Sequence, residues 1–360
     1  MTLPVRDDLR GRTPYGAPQS TTAITLNVNE NPYPPSAALV ADLQRAVGEV
    51  ATALNRYPDR EALALRADLA DYLSKQTGVP LGAEQVWAAN GSNEVLQQVL
   101  QAFGGPGRCA LGFEPSYSMH PLLALGTSTA WVSVPRLPDF TITAELAVAA
   151  VREHRPAVVF LTTPNNPTGT TTTLDVVDAL CTASDGVVVV DEAYAEFSSQ
   201  TSAVTLMDRH PRLLVSRTMS KAFAMAGTRL GYLAASAEVV DALRLVRLPY
   251  HLSALTQAAA RTALAHTDEL LATVDAVVVQ RDRIVQHVVG LELRTVPTDA
   301  NFLLFGPFDD PERVWKSLLD KGILVRDVSA GPGLAGWLRV NAGTENETTA
   351  FLSALEEVIR

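Results

Sequence analysis

Two stretches decide the fold: AVVFLTTPNNPTG (157–169) and GVVVVDEAYAEF (186–197). Each begins with an unbroken apolar run, rich in valine, that ends at Thr162 or Asp191. Runs of that length without alternation suit strands buried on both faces, as in a parallel sheet covered by helices. Helical patterns surround them. PDREALALRADLADYLSKQTG (58–78) offers Asp59 as a cap, apolar spacing near 3.6 and Gly78 as a stop. QVWAANGSNEVLQQVLQAFGG (85–105) reads as a short strand, a turn and an amphipathic helix. The expected fold class is therefore α/β with a mainly parallel central sheet in a large domain. Past Pro249 an Ala-rich helical region (253–290) leads to LRTVP, NFLLF and WLRV, the pattern of a smaller α+β domain. Ahead of Ser36, a Pro- and Gly-rich segment ending in NENPYPP reads as an N-terminal arm. The expected division is an arm at 1–35, a large domain at 36–248 and a small C-terminal domain at 249–360.

Composition narrows the classes of function. The 360 residues are 47% hydrophobic and 19% charged, enough for a large core in one or two domains. A net charge of −10 argues against nucleic acid as a partner but leaves room for a local anion pocket. The first eighteen residues are charged and lack an apolar core, so they do not read as a signal peptide. No apolar run is long enough for a membrane span. Cys109 and Cys181 show no CxxC spacing and read as reduced, buried thiols of a cytoplasmic protein. The histidines show no HExxH or HxxxH spacing, so no metal site is expected.

Four polar clusters follow apolar runs, and ligands of open α/β sheets gather at the carboxyl ends of strands. NGSNE (90–94) opens a helix whose free N–H groups favour a phosphate, or else Ser92 is an ordinary N-cap. TTPNNPTG (162–169) is a rigid turn that either aims an amide or is only a turn. Asp191 after its strand could hold a cationic ring nitrogen protonated, or cap a helix. In SRTMSKAFAMAGTRLG (216–231), Thr218, Ser220 and Arg229 surround Lys221 with donors. Lys221 there is either a solvated lysine or a nucleophilic amine whose pKa has fallen among apolar neighbours. Taken together, these clusters describe one ligand, a phosphorylated pyridine aldehyde held by a lysine, which is pyridoxal 5′-phosphate.

With these residues in order, the chain resembles the fold-type I, class II pyridoxal-phosphate aminotransferases, and within them the histidinol-phosphate aminotransferases. NENPYPP, NRYPD, ANGSNE, PSYSMHP, TTPNNPTG, VDEAYAEF, TMSKAF, LPYHLS, DANFLLF, ILVRD and WLRV carry the likeness over nearly the whole chain. The resemblance implies that Lys221 holds the cofactor aldehyde and then moves the substrate proton, with Asp191 on the ring nitrogen. It implies that Asn166 and Tyr194 bind the ring hydroxyl and that Tyr117 stacks on the ring. The phosphate falls to Ser92, Asn93, Thr218, Ser220 and Arg229, with Tyr57 reaching it from the other subunit of a homodimer.

Substrate choice is expected to rest on Tyr33, Arg326 and Arg339. Two arginines and a phenol suit a phosphate dianion while still accepting the carboxylate of glutamate or 2-oxoglutarate. Surface pairing with the adjacent Asp327 is the competing reading for Arg326. The implied reaction is transamination between histidinol phosphate and 2-oxoglutarate in histidine biosynthesis. An aromatic amino-acid aminotransferase, or a decarboxylase of threonine phosphate, are the alternatives that keep the cofactor. GPGLAG (331–336) matches GxGxxG literally, but it holds a proline and lies too near the C-terminus to open a dinucleotide-binding unit. No role follows from sequence for the glycine-rich loop it occupies.

Overall fold

Val158–Thr162 and Val187–Asp191 lie side by side near the middle of a seven-stranded sheet. The computed structural model describes residues 3–16 and 22–359. In spatial order the strands are Val86–Ala89, Gly231–Ala234, Leu213–Thr218, Val187–Asp191, Val158–Thr162, Cys109–Glu114 and Ala130–Pro135. Only Gly231–Ala234 runs against the others. Every side chain from Val187 to Asp191 is buried, as the unbroken apolar run demands. Each such valine contributes about 1.5–3 kcal/mol of burial. Helices cover both faces, and two hydrophobic clusters form, one on each side of the sheet.

The C-terminal part holds a four-stranded antiparallel sheet: Arg326–Asp327, Leu338–Asn341, Phe302–Gly306 and Arg294–Thr295. The Ala-rich stretch is two helices, Ala254–Ala265 and Thr267–Gly290, divided at His266. The arm does not stand apart from this region. Ile24–Thr25 pairs in parallel with Ile323–Leu324. Part of the expected arm, residues 1–2 and 17–21, lies outside the described residues.

Local expectations meet three corrections. Asp59 does not cap its helix directly. The helix runs Leu63–Thr77 from Ala62, and the Asp59 carboxylate accepts N–H groups of Glu61 at 3.0 Å and Leu63 at 2.8 Å. Gly78 does end that helix, in the left-handed region at φ 72°. Ser92 is not an N-cap either, because Gly91 at φ 84° holds that position and Ser92 is the first helical residue. Cys181 is buried, with its thiol pushed up to about 12 by that burial, whereas Cys109 is only half-buried; both are free.

Candidate active site

Six strands of the large sheet point their carboxyl ends at one edge, and the polar turns that follow them meet there. The lone antiparallel strand begins at the same edge. Gly231 therefore pairs with both Ala89 and Thr218, and Arg229, two residues earlier, arrives beside them. This junction has no room for a side chain. A Cβ on Gly231 would lie 2.0 Å from Ser92 N, and one on Gly91 would lie 2.6 Å from Arg229 Nη2.

A cavity of ≈ 850 Å³ opens at this edge. Ser92, Asn93, Tyr117, Asn166, Asp191, Tyr194, Thr218, Ser220, Lys221, Arg229, Arg326 and Arg339 all line it, so residues far apart in sequence converge. At one end the start of helix Ser92–Phe103 faces Thr218, Ser220 and Arg229. Thr218 Oγ1 lies 3.1 Å from Ser220 Oγ, and Arg229 Nη1 donates to Ser220 Oγ at 3.3 Å. First-turn N–H groups, two hydroxyls and a guanidinium are a donor set for a phosphate.

Asp191 stands at the end of its strand, 2% exposed. Ser216 Oγ donates to its Oδ1 at 3.1 Å, and Oδ2 lies 3.4 Å from His120 Nε2. The His120 ring stacks on Phe160 at 4.6 Å and meets Tyr117 edge-on at 5.4 Å. Behind the turn that carries Tyr194, buried Arg217 pairs with Glu192 at 2.7 Å and Glu196 at 2.9 Å, which fixes that turn. A buried carboxylate between a hydroxyl and an imidazole suits a cationic ring nitrogen.

Lys221 Nζ lies between these groups and donates to Val28 O at 3.0 Å. Burial first, then the positive charges of Arg339 and Arg229, bring its pKa down to about 8, against the opposing pull of Glu30. An amine of that kind is a nucleophile near neutral pH. Tyr194 is buried, its phenol pushed up to about 12 by desolvation, and it accepts a hydrogen bond from Asn29 Nδ2 at 2.9 Å. Tyr117 donates to Asn93 Oδ1 at 3.2 Å.

Across the cavity, Arg326 and Arg339 sit directly opposite each other on antiparallel strands. Like charges in that register repel. Arg339 Nη1 donates to Asn166 Oδ1 at 2.6 Å and Nη2 to Asn27 O at 2.8 Å, while its charge lies 5.1 Å from the Phe302 ring centre. Burial brings its pKa down to about 10. Among the described residues, Arg339 Nε and Arg326 Nη1 are buried without a hydrogen-bond partner. Two facing cations with unmet donors form a receptor for an anion of more than one charge. Arg326 is not paired to Asp327, whose carboxylate accepts instead from Ser329 N at 2.8 Å.

Two expected residues stand elsewhere. Tyr57 is 80% exposed and stacks on Tyr250 at 4.4 Å, outside this chain's cavity. Tyr33 likewise does not line this chain's own cavity. The Asn31 side chain turns the backbone by accepting from Tyr33 N at 3.0 Å, and the ring packs on the core. The tyrosine that the arm does bring to the cavity is Tyr15. Sequence reasoning also missed His120, although PSYSMHP contains it, and the arm segment Asn27–Glu30. The loop between the arginines gains a place as well. Val328, Ala330, Gly331, Pro332 and Leu334 form one wall, so GPGLAG borders this cavity rather than opening a nucleotide-binding helix.

The sequence model for aminotransferase class I and II matches residues 21–355. A histidinol-phosphate aminotransferase of Frankia casuarinae is 62% identical over 359 residues, covering 98% of this chain and 89% of that protein. The namesake enzyme of Thermobifida fusca is 60% identical, covering 98% and 95%. Among solved structures, histidinol-phosphate aminotransferase from Sinorhizobium meliloti in complex with pyridoxal-5′-phosphate superposes with a TM-score of 0.84. It is 24% identical and covers 94% of this chain and 91% of that one. Aspartate aminotransferase from Thermus thermophilus with maleate gives 0.80 at 23% identity, with coverage of 94% and 92%. At these identities the structures speak for a shared fold.

Proposed function

The chain belongs to the class I and II aminotransferases, and from that premise we propose that it exchanges an amino group between histidinol phosphate and 2-oxoglutarate. The products are imidazole-acetol phosphate and glutamate, within histidine biosynthesis. The observation that carries the substrate is the facing pair Arg326 and Arg339, with buried donors on both left unmet among the described residues. A phosphate ester dianion answers two guanidiniums, and a carboxylate answers the same site in the glutamate half-reaction. The names of the relatives at 60% and 62% identity support the same substrate.

Pyridoxal phosphate, when bound, supplies an electron sink for the carbon from which a proton is removed. This chain's residues do the rest. The first turn of helix Ser92–Phe103, with Thr218, Ser220 and Arg229, would hold the phosphate. Asp191 would keep the ring nitrogen protonated, with the Ser216 hydroxyl holding its carboxylate in place and the His120 ring beside it. Tyr117 would lie against the ring, and Asn166 and Tyr194 would face the ring hydroxyl. Lys221 Nζ would hold the group at its aldehyde carbon and would serve as the base that moves the substrate proton. The chain is proposed to work in the cytoplasm as a homodimer, with Tyr57 completing the phosphate site of the other subunit. Its exposed ring supports this, as do exposed Leu54, Leu245 and Leu248, close in sequence to Tyr57 and Tyr250. Among the described residues, no helix is long and apolar enough to cross a membrane. Domains at 36–248 and 249–360 are proposed on the same reading. The seven-stranded sheet falling within 86–234, and the four-stranded one within 294–341, support that division.

The test is a visible absorption titration of the cofactor-loaded protein. Histidinol phosphate at low concentration is expected to bleach the yellow band, and phenylalanine to leave it. Bleaching chiefly by phenylalanine would move the assignment to aromatic amino acids, and carbon dioxide release without a keto acid would move it to a lyase. Lys221 gives a second expectation. Because its pKa is lowered to about 8, the neutral amine accumulates as pH rises through 8 rather than through the ordinary lysine range. The rate at which protein freed of cofactor captures pyridoxal phosphate should rise with an inflection near pH 8. An inflection in the ordinary lysine range, above about pH 10, would contradict the burial argument.

A further inference from the structure

Asn29 is 1% exposed and sits in the left-handed region at φ 57°. Its backbone N–H donates to Asn341 Oδ1 at 3.1 Å, and its carbonyl accepts from Asn301 Nδ2 at 3.1 Å. Both partners lie at ends of strands in the four-stranded sheet region, so the arm is clamped at this one residue. Glycine would adopt that backbone without strain. The side chain therefore needs its own reason.

That reason lies in the cavity wall that Asn29 shares with Tyr194 and Lys221. Asn29 Nδ2 donates to the Tyr194 hydroxyl at 2.9 Å, and the preceding carbonyl, Val28 O, takes the Lys221 amine at 3.0 Å. A phenol has one proton to give and lone pairs to receive. With a lone pair occupied by the amide, the phenolic proton stays available, and among the described residues no acceptor takes it. Had the amide faced the phenol with its oxygen, Tyr194 would spend its proton on Asn29 and offer only lone pairs to the cavity. Resting on the proposed cofactor, we infer that Asn29 is a positioning residue: it donates to Tyr194 and so turns the phenolic proton toward the cofactor's ring oxygen. Burial keeps that phenol protonated across the working range, as a donor must be.

The consequence is spectroscopic. A hydrogen bond donated to the ring oxygen stabilises its negative charge most once the neighbouring nitrogen, which joins Lys221 to the cofactor, has lost its proton. It therefore lowers the pH at which the visible band of the holoenzyme titrates. Asn29→Gly suits the φ of 57° and removes the amide. It is expected to raise that midpoint by about one pH unit, the size of a weakened hydrogen bond to a charged oxygen. In a Tyr194→Phe background the same change should leave the midpoint where it is. Asn29→Asp also tolerates this backbone but, when ionised, only accepts. It should raise the midpoint more with Tyr194 present than in the Tyr194→Phe background. An unmoved midpoint in Asn29→Gly, or equal shifts with and without Tyr194, would overturn the inference. Absence of any visible band from the unaltered, cofactor-supplied protein would instead overturn the cofactor reading beneath it.

Discussion

Lys221→Ala is expected to lower transamination of histidinol phosphate at least about 10⁴-fold while the protein remains folded. On the proposed function two roles would be lost together: the amine that would hold the cofactor aldehyde, and the base that would move the substrate proton. Among the described residues, no other lysine lines the cavity to substitute for it. Stability should change little, because among the described residues the ammonium makes one hydrogen bond, to Val28 O, and its burial is unfavourable to its charge. Single-turnover kinetics with cofactor-loaded protein check the loss, and thermal unfolding checks the fold. An added small primary amine should restore part of the proton transfer. Residual activity within roughly tenfold of the unaltered protein would remove Lys221 from the centre of the chemistry.

Arg339→Gln carries the second large effect. It leaves the substrate anion, desolvated in the cavity, without its forked partner, and it withdraws the donors now held by Asn166 and Asn27 O. Truncating one member of a buried charge pair costs about 2–4 kcal/mol, roughly 30- to 1,000-fold in kcat/KM. Both half-reactions should suffer, because both substrates present an anion there. Arg339→Lys is expected to recover little, since an ammonium cannot match two oxygens in one plane. Arg326→Gln separates the two guanidiniums: it should weaken histidinol phosphate more than glutamate, whose single charge at that end needs only one. Equal losses for both substrates in Arg326→Gln would mean that the second arginine does not read the phosphate.

The chemistry-bearing turns were legible because each follows a strand that announces itself. Val187 to Val190 can bury on both faces only in a covered sheet, and that alone places Asp191 at a carboxyl edge. Lys221 was legible for a similar reason, since AFAMAG leaves a lysine no ordinary surface to occupy. Ser92 and Asp59 misled in detail because hydroxyls and carboxylates favour helix starts in general, whereas the local φ of Gly91 and Ala62 decides which residue takes that position.

What remained hidden depends on long-range contact. Pairing of Ile24–Thr25 with Ile323–Leu324 carries this part of the arm across the molecule, where Asn29 reaches the cavity while Tyr33 turns onto the core. His120 meets Asp191 because Phe160 holds its ring from an adjacent strand. The opposition of Arg326 and Arg339 is a matter of strand register, which a sequence pattern cannot fix across an intervening loop. Sequence by itself determined the strands, the sheet class and the chemical types at their ends, because burial pattern and turn chemistry are local. Tertiary structure alone decided which of those groups face one another, because charge pairing, proton direction and cavity walls arise between segments far apart along the chain.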